Sequence, residues 1–369
     1  MATKNKKIFI SAGDPSGDIH AANMMRELIN LNPNVEFIGI GGPKMQELGL
    51  KPIVEFNKIN VVGFWEVIKK YRFFKKLESK AKSIILNNSI DLVLLIDYPG
   101  LNIRLSNFAK LNSKKVCYYI APQLWAWGKN RAQKLADSVD KLLVVFPFEV
   151  DFFKQYGIDT NFVGHPLLDL DIFDIEQHTD RQKNQVCLVP GSREQEVKQH
   201  LKLFSEIIDN YKGQFKFAVS KSPFVSDDIY SNFSSKYPEV KLYKNSRSAM
   251  NDSGFGIVKA GTSTLEAALL GLPFFTIYKT SATTYLLGKY LININFLSMP
   301  NILLDKNVVE EYIQTDATSS NINSMLERFE IDDNYVQQMK SDFNKIRSML
   351  GTKSACEQSA SIINSEFLQ

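Results

Sequence analysis

The feature that most restricts the fold of this chain is a repeated alternation of short apolar runs with longer segments of helical periodicity. In the first half the apolar runs lie at Ile8–Ile10, Val35–Ile40, Leu92–Ile96, Val116–Ile120 and Lys141–Val145. In the second half they lie at Val186–Val189, Phe215–Val219, Phe255–Val258 and Phe274–Tyr278. Because strands that are separated by helices pair in parallel, this pattern predicts α/β sheets that are covered by helices on both faces.

The domain organisation follows from the length and from one polar stretch. A chain of 369 residues is long for one hydrophobic core and sufficient for two. The stretch from Asp169 to Asn184 is polar and charged, and the strand–helix alternation starts again after it. We therefore predict a doubly wound, Rossmann-like domain over residues 1–168, a linker over 169–184, a second such domain over 185–345 and a helical tail over 346–369. Since ligands bind at the carboxyl ends of strands in such sheets, we expect them in a cleft between the two domains.

The composition excludes several classes of protein. No stretch approaches the roughly 18 consecutive apolar residues that a membrane span needs. The apolar run after the basic segment Met1–Lys7 ends at Asp14, which is too short for a secretory signal, so an intracellular protein is expected. The net charge of +4 gives no indication of nucleic-acid binding. A disulfide framework is not expected from three widely spaced cysteines, which we interpret as buried thiols of a reducing compartment: Cys117, Cys187 and Cys356.

A turn of small residues after the run Phe255–Val258 gives the strongest indication of a ligand site. The turn opens a short helix that Gly271 and Pro273 end. Free backbone amides and the helix dipole meet at such a turn, which suits a phosphate group. Glu266, about one turn into the helix, can accept two hydrogen bonds from a sugar diol. The candidate residues for a nucleotide diphosphate joined to a sugar are Gly261, Thr262, Ser263, Thr264 and Glu266, although a tightly packed turn without a ligand would have the same glycines.

Two further turns at strand ends are also candidate phosphate-binding turns. The turn over residues 11–18 offers hydroxyls and backbone amides at a helix start, with the candidate residues Gly13, Ser16 and Gly17. Helix capping by Ser16 and Asp18 would explain it equally well. The turn over residues 189–193 contributes Gly191, Ser192 and Arg193, of which the arginine can hold a diphosphate through two parallel hydrogen bonds. The alternative for Arg193 is a surface salt bridge.

A carboxylate follows the strongly apolar run Leu92–Ile96. Burying an ionised carboxylate is costly unless it is used, and burial raises its pKa so that it becomes a better proton acceptor. Asp97 is therefore the candidate general base, and capping of a helix that begins near Asn102 is the alternative.

Other chemistry-bearing residues are interpreted as structural or remain open. Trp125 and Trp127 could stack on a sugar, line an acyl site or seal the edge of the core, and we slightly favour the core. We interpret His165, which lies beside Pro166, as structural rather than as a base. The four histidines show no metal-ligand spacing, and the dinucleotide and phosphate-loop fingerprints are incomplete, so neither a metal nor another cofactor is expected.

The segment from Phe64 to Leu77 differs from the rest of the chain. Apolar and aromatic side chains fall on one helical stripe, with basic residues between them. This composition is typical of a helix that lies on an anionic membrane surface, and a core-facing helix with a solvated basic face is the alternative. The candidate membrane residues are Phe64, Trp65, Val67, Ile68, Tyr71 and Phe74, with Lys69, Lys70 and Lys75.

Short motifs along nearly the whole chain resemble those of bacterial lipid A disaccharide synthase, a glycosyltransferase family of the two-domain GT-B type. Each motif is short, but their order and spacing together are specific. They comprise residues 12–18, 96–99, 121–127, 146–149, 162–166, 188–193, 261–266 and 298–303.

The resemblance implies a reaction. UDP-2,3-diacylglucosamine would donate its sugar to 2,3-diacylglucosamine 1-phosphate, giving UDP and a β-1,6-linked disaccharide phosphate in lipid A (lipopolysaccharide) biosynthesis. It further implies that Asp97 is the base, that Arg193 contacts phosphate, that Asn301 is needed at the nucleotide site and that the segment from Phe64 faces the cytoplasmic side of the inner membrane. No metal, cofactor or nucleic-acid partner is implied.

The chain departs from the family pattern at two places. Gly100 stands where an acidic residue is common, and Lys259 stands where the family has a neutral residue before Gly261. The alternative is another enzyme of the same fold, a UDP-N-acetylglucosamine transferase or 2-epimerase, which needs neither an acyl site nor a membrane helix. A protein that binds nucleotide at a membrane surface without catalysis is a further alternative.

Overall fold

The computed structural model of the chain describes residues 5–59, 71–173, 181–211, 213–280, 285, 295–352 and 354–369. The chain forms two compact units, of which the first consists of Met1–Asp169 with Leu350–Gln369 and the second of Leu170–Met349. Each unit contains one parallel β-sheet with helices in the connections between its strands. The predicted fold class of two doubly wound α/β domains is therefore confirmed.

The first unit has a seven-stranded sheet within the described residues. Its strands are β1 (Lys6–Ala12), β2 (Val35–Ile40), β3 (Lys51–Pro52), β4 (Leu92–Ile96), β5 (Lys115–Tyr119), β6 (Lys141–Val144) and β7 (Thr160–Phe162). Its helices before β7 are α1 (Pro15–Leu31), α2 (Pro43–Glu47), α3 (Phe56–Ile59), α4 (Tyr71–Asn87), α5 (Pro99–Leu111), α6 (Leu124–Trp127), α7 (Lys129–Ala136) and α8 (Pro147–Lys154). A 3₁₀ turn, Pro166–Asp169, follows β7.

The strand order β3-β2-β1-β4-β5-β6-β7 places the reversal of the winding between β1 and β4. These strands are in parallel register, with Ala12 opposite Ile96, so the turns that follow them leave the sheet side by side. Their inward side chains, such as Phe9, Val93 and Leu95, are buried in one apolar cluster. Since ligands of open α/β sheets bind where the strand order reverses, the turns after β1 and β4 form the expected site of this unit.

The second unit has a six-stranded sheet within the described residues. Its strands are β8 (Gln182–Val189), β9 (Lys216–Ser220), β10 (Lys241–Tyr243), β11 (Ser253–Lys259), β12 (Phe274–Tyr278) and β13 (Glu311–Ile313). Its helices are α9 (Glu194–Asn210), α10 (Asp227–Lys236), α11 (Ser246–Asp252), α12 (Thr262–Leu269), α13 (Met299–Leu304), α14 (Ser319–Ile331) and α15 (Asp333–Met349), and a 3₁₀ turn, Asp171–Phe173, precedes β8.

The strand order of this sheet, β10-β9-β8-β11-β12-β13, reverses between β8 and β11. Val189 lies opposite Val258 in the parallel register, so the turns after these two strands are also neighbours. Aromatic rings join the helices to the sheet: the ring centroids of Phe274 and Phe343 are 5.6 Å apart. The expected ligand site of the second unit is therefore the pair of turns after β8 and β11.

The C-terminal helix and the π-helical turn Asn364–Leu368 that follows it belong to the first unit, whereas the sequence predicts a separate helical tail over residues 346–369. Residues 346–349 end α15 in the second unit, and α16 (Ala355–Ile363) lies in the first unit. The Asp169 carboxylate accepts hydrogen bonds from the amides of Ser354, Ala355 and Cys356 at 2.9–3.1 Å. The remaining domain boundaries stay predictions; the stretch predicted as a linker contains the turn Asp171–Phe173 and the start of β8.

Two predictions from composition can be compared with the structure. In the described part of the chain, helices that are both long and apolar enough to cross a membrane are absent. The cysteines predicted as buried thiols are indeed free and buried: Cys117, Cys187 and Cys356.

Candidate active site

Asp97 lies directly after β4, where the chain turns into α5 in an unusual backbone conformation. Asp97 and Tyr98 have φ angles of 41° and 48°, in the left-handed region that residues other than glycine rarely adopt. The Asp97 carbonyl accepts hydrogen bonds from the Tyr118 hydroxyl at 2.6 Å and from the Asn102 amide at 2.9 Å. Asn102 thus holds this turn from within α5, and Tyr98 rather than Asp97 occupies the capping position of that helix. The capping alternative for Asp97 is therefore wrong.

Asp97 lines a cavity of about 260 Å³ in the first unit. Pro99, Gln123 and Phe146 line the same cavity. Burial, together with the nearby negative charge of Asp14, raises the pKa of Asp97 to about 7. A carboxyl group that titrates near neutral pH is a far better proton acceptor than an ordinary aspartate. The arrangement can accept a proton from a hydroxyl group that enters this cavity.

The turn after β1 approaches the Asp97 turn closely. A Cβ atom on Gly13 would lie 2.4 Å from atoms of the Tyr98 ring, so only glycine fits there. Asp14 caps α1 by accepting a hydrogen bond from the Gly17 amide at 2.8 Å. The Ser16 hydroxyl lies 3.2 Å from Nε2 of His20, one helical turn later.

Helix capping, the alternative for this turn, is observed, but Ser16 is not the residue that caps α1. Asp14, rather than Ser16, caps that helix. Asp18 caps the next one, because its carboxylate accepts hydrogen bonds from the Gly42 and Met45 amides at the start of α2.

Glu149 is a buried carboxyl group that falls within the motif at residues 146–149 but is not among the candidate site residues. Its Oε1 atom accepts a hydrogen bond from the indole of Trp125 at 3.0 Å, and its Oε2 atom accepts one from the Phe146 amide at 3.2 Å. Burial raises the pKa of Glu149 to about 7. The position of Glu149 three residues after Phe146, at the start of α8, is a capping-box spacing that could have indicated it. For Trp125 the core interpretation is confirmed, whereas the Trp127 side chain lies outside the described residues.

His165 has a structural environment. Its Nδ1 atom accepts a hydrogen bond from the Leu167 amide at 3.2 Å, and its own amide donates to the Leu350 carbonyl at 3.0 Å. Burial lowers the pKa of His165 to about 3, so the ring is neutral at physiological pH. These contacts agree with the structural interpretation.

In the second unit, the turn after β8 carries Gly191, Ser192 and Arg193. Gly191 has a φ angle of 100°, which favours glycine. The Arg193 side chain is 59% exposed, and its Nη1 atom lies 3.2 Å from Oε1 of the buried Glu196. His200 supports this turn, since its Nδ1 atom lies 2.7 Å from the carbonyl oxygen of Pro190. The salt-bridge alternative for Arg193 is thus observed, but in a form that leaves most of the guanidinium exposed to solvent.

The turn after β11 places backbone amides at the start of α12. Gly261 has a φ angle of 135° and precedes the first helical residue, Thr262. Thr262 is exposed and Ser263 is half-buried. Thr264 is buried instead: its hydroxyl donates to the Gly261 carbonyl at 2.7 Å and accepts from the Met299 amide at 2.9 Å. Thr264 therefore stabilises the turn, and the amides of Thr262 and Ser263 are the ones placed for an anion.

Glu266 lies beside a cavity of about 490 Å³ in the second unit. Ile172, Ser246 and Arg247 line the same cavity. Arg247 donates to Oε1 of Glu266 from Nε at 2.9 Å and from Nη2 at 2.7 Å. The motifs gave no indication of Arg247. A sugar diol that binds Glu266 would have to share this carboxylate with the guanidinium.

Asn301 is fully buried, and both ends of its amide are used. Oδ1 accepts from the amides of Val308 and Val309, and Nδ2 donates to the Val309 carbonyl and to Glu311 at 2.9 Å. The same Glu311 oxygen accepts from the Ser298 amide and hydroxyl at the start of α13. Asn301 therefore positions the start of α13, and a contribution to nucleotide binding would be indirect.

The candidate residues fall into two groups, one in each unit. Gly13, Ser16, Gly17 and Asp97 lie together on the turns after β1 and β4. The turns after β8 and β11 bring together Gly191, Ser192, Arg193, Gly261, Thr262, Ser263 and Thr264, and Glu266 and Asn301 lie on helices α12 and α13. Groups of histidine, cysteine and acidic side chains that could hold a metal ion are not found among the described residues.

The candidate membrane segment is only partly described. Phe64, Trp65, Val67, Ile68, Lys69 and Lys70 lie outside the described residues. Tyr71, at the start of α4, is 64% exposed, and Lys75 is also exposed. Phe74 instead packs against the core of the first unit, because it continues the buried stripe of Leu77 and Ala81. For Phe74, the core-facing alternative is the one observed.

Comparison with known proteins identifies the family. The sequence model of the family described as lipid-A-disaccharide synthetase matches residues 8–365. The lipid-A-disaccharide synthase of Persephonella marina is 35% identical over 97% of this chain and 98% of its own length. That of Geobacter metallireducens is also 35% identical, over 97% of each chain.

Solved structures agree on the fold. A UDP-GlcNAc 2-epimerase from Neisseria meningitidis gives a TM-score of 0.63 at 12% identity, covering 98% of this chain and 99% of its own. The calicheamicin glycosyltransferase CalG4 gives 0.62 at 11% identity, covering 99% of this chain and all of its own. At such low identity these likenesses concern the architecture alone. With the family model matched over nearly its whole length and relatives above 30% identity, the chain belongs to the lipid-A-disaccharide synthetase family.

Proposed function

We propose that the chain transfers the sugar of UDP-2,3-diacylglucosamine to 2,3-diacylglucosamine 1-phosphate, with inversion at the anomeric carbon. As a member of the lipid-A-disaccharide synthetase family, the chain is a glycosyltransferase. The observation that carries the choice of substrates is the family match over residues 8–365, which includes every candidate turn. The site residues below are proposed from their geometry.

Asp97 is the proposed general base. The 6-hydroxyl oxygen of the acceptor attacks C1 of the donor sugar while the bond from C1 to the diphosphate oxygen breaks. The hydroxyl proton moves to the Asp97 carboxylate, and the electron pair of the broken bond leaves with UDP. Because burial raises the pKa of Asp97 to about 7, the carboxylate holds this proton more strongly than an ordinary aspartate and is still ionised for part of the time at neutral pH.

The departing UDP needs stabilisation of its negative charge. Arg193 can supply two parallel hydrogen bonds because its guanidinium is largely exposed, and its Nη1 atom pairs with Glu196. The amides of Thr262 and Ser263 add N–H donors and the positive end of the α12 dipole. Gly191 and Ser192 provide the second side of this anion site.

Glu266 is the proposed partner of the ribose diol. Glu266 lines the cavity of the second unit, and the guanidinium of Arg247 orients its carboxylate through two hydrogen bonds to Oε1. A carboxylate oriented in this way accepts two hydrogen bonds from neighbouring hydroxyls. Arg247 is therefore a positioning residue for Glu266 in the proposed site.

The proposed reaction is tested by mass spectrometry of the products formed from the two acylated monosaccharides. We expect UDP and a tetraacyl disaccharide phosphate from the unaltered chain. Asp97→Asn should lower kcat by about 10²–10⁴, the contribution typical of a positioned base, while UDP binding is retained. Asp137→Asn removes an exposed carboxylate of the same unit and serves as the matched control, with unchanged turnover.

Two results would contradict the proposal. Turnover of a non-acylated UDP sugar alone would favour another transferase or an epimerase of the same fold. Full activity of Asp97→Asn would remove the assigned base and leave the acceptor proton to another group.

We also propose that the chain binds the cytoplasmic surface of the inner membrane, where both lipid-like substrates reside. The start of α4 supports this, since Tyr71 is largely exposed and is followed by the exposed basic residues Arg72, Lys75 and Lys76. A large apolar side chain contributes about 1.5–3 kcal/mol when buried, and a basic residue near an anionic surface contributes about 1 kcal/mol. Attachment at this point would therefore be reversible.

Sedimentation with phosphatidylglycerol-containing vesicles tests the membrane proposal. The triple variant Tyr71→Ser, Lys75→Ser and Lys76→Ser should bind the vesicles roughly tenfold or more weakly. Leu111→Ser, which removes an 85% exposed leucine from the last turn of α5, is the control and should sediment like the unaltered chain. Equal sedimentation of the triple variant and the control would contradict attachment through this segment.

A further inference from the structure

Lys259, the last residue of β11, lies between the two turns of the proposed diphosphate site. Its side chain is only 18% exposed. A Cβ atom on Gly191 would lie 3.2 Å from Cδ of Lys259, so the aliphatic part of the lysine covers the first turn. Its Nζ atom is 3.8 Å from the position that a Cβ atom would take on Gly261, the first residue of the second turn. The ammonium group is therefore adjacent to both turns.

The charges around Lys259 do not cancel. Glu196 is 5% exposed, and its Oε2 atom lies 3.3 Å from Nζ of Lys259 while its Oε1 atom faces Arg193 at 3.2 Å. One buried carboxylate is thus shared by two cations. His200, which packs behind the same turn, adds no charge at neutral pH because burial lowers its pKa to about 4. In the part of the chain that the structure describes, this group of two cations and one carboxylate therefore carries a net positive charge of about one, which an anionic ligand would balance.

A lysine at this position is costly for a purely structural role. Burial lowers the pKa of Lys259, which means that the surroundings disfavour its charged form in spite of Glu196. The Tyr278 ring, whose centroid is 5.3 Å from Nζ, offers a weak additional contact. A neutral residue would fill this space without that cost, so the buried charge of Lys259 indicates a functional role.

We propose that the Lys259 ammonium binds the diphosphate of the nucleotide-sugar donor, together with Arg193 and the amides at the start of α12. The inference rests on the proposed function, which supplies the diphosphate. Lys259 then adds a point charge beside the exposed guanidinium and stabilises UDP both in the bound donor and as the leaving group. Glu196 is the positioning residue that keeps the ammonium between the two turns.

The test compares the binding of UDP and of uridine to the full chain. UDP binding is measured by titration calorimetry, and uridine binding by displacement of UDP. In Lys259→Met we expect UDP to bind roughly tenfold to a hundredfold more weakly, the factor that corresponds to one hydrogen bond to a charged group. Uridine, which has no phosphate, should bind unchanged, and Lys259→Arg should keep most of the UDP affinity. Lys345→Met is the matched control, because it also removes a lysine from a buried carboxylate, that of Asp342, and should leave both affinities unchanged.

A second variant shows whether a loss of UDP binding in the first results from misfolding. Lys259→Met leaves Glu196 with one cation fewer, so Lys259→Met with Glu196→Gln removes the stranded charge and should show the same loss for UDP. UDP affinity equal to that of the unaltered chain in either variant would overturn the inference and leave the proposed function intact. An equal loss for UDP and uridine would also overturn it, since the effect would then be structural. If the unaltered chain does not bind UDP, the proposed function fails and this inference with it.

Discussion

At the scale of the residue, Asp97 combines two features that cost stability. Its backbone is in the left-handed region, and its partly buried carboxyl group has a pKa that is raised to about 7. An unfolded aspartate has a pKa of about 3.9, whereas the folded value is about 7, so the unfolded state gives up the proton more easily. The contribution of this group to stability is therefore present below about pH 4 and is lost as the pH rises towards 7. Such a loss is expected where a carboxyl group is kept for chemistry.

This reasoning predicts that Asp97→Asn stabilises the chain while it lowers turnover. A shift of about three pKa units corresponds to about 4 kcal/mol, and partial contact of the carboxyl group with solvent reduces this value. At pH 8 the free energy of unfolding of the variant should therefore exceed that of the unaltered chain by about 2–4 kcal/mol. The difference should shrink below pH 7 and become small near pH 4. Urea unfolding at pH 4.5, 6.5 and 8 measures it, with Asp137→Asn as the exposed control. A variant that is less stable than the unaltered chain at pH 8 would show that the charged carboxylate makes stabilising contacts.

A site residue could be predicted when the residues that determine its environment are close to it in sequence. Asp97 was recognisable because it directly follows five apolar residues of one strand. Arg247 was not, because its partner Glu266 is 19 residues away in sequence, and the pairing of Glu149 with Trp125, 24 residues away, could not be predicted for the same reason. Such pairs are created by the fold, and no short motif contains both members. Lys259 is intermediate: the sequence indicated an unusual charge, and only the structure places its ammonium group.

At the scale of the element, the central strands were predictable and the edge strands were not. Strands such as β4 and β11 are apolar runs, because both faces of a central parallel strand are covered. The edge strands β3, β7, β10 and β13 have two or three residues each, which is too short for a recognisable pattern. The start of α13 was likewise visible only as a family motif, although a network around Asn301 and Glu311 determines it.

The network at the start of α13 predicts that Asn301→Ala acts through stability as well as through binding. The substitution leaves the Val308 and Val309 amides without their acceptor, which costs about 3 kcal/mol in total. We expect a lower urea midpoint and, because α13 supports the turn at Thr264, weaker UDP binding. Asn344→Ala, at an exposed position of α15, is the control. An unchanged urea midpoint with a loss of UDP affinity alone would instead indicate direct contact of the amide with the nucleotide.

At the scale of the whole molecule, the chain builds its first unit from both of its ends. Residues 350–369 belong to the same unit as residues 1–169, although the second unit lies between them in sequence. Sequence periodicity identified the terminal helix but could not assign it, because its contacts are with residues far away in the chain. Lys141 illustrates this: its buried ammonium group pairs with Asp159 at 2.6 Å and with Glu366 at 2.8 Å.

Asp169 should therefore control how firmly α16 is held in the first unit. Its carboxylate accepts hydrogen bonds from three consecutive amides at the start of that helix, so Asp169→Ala removes an N-terminal cap worth about 1–2 kcal/mol. We expect faster amide hydrogen exchange over residues 355–363 and unchanged exchange in β8 and β11 of the second unit. Asp333→Ala, which alters an acidic residue at the start of α15, is the counterpart in the second unit and should leave α16 unaffected. If Asp169→Ala accelerated exchange in β8 and β11 as strongly as in α16, the terminal helix would not be a part of the first unit alone, and its assignment from the contacts of Asp169 would have to be abandoned.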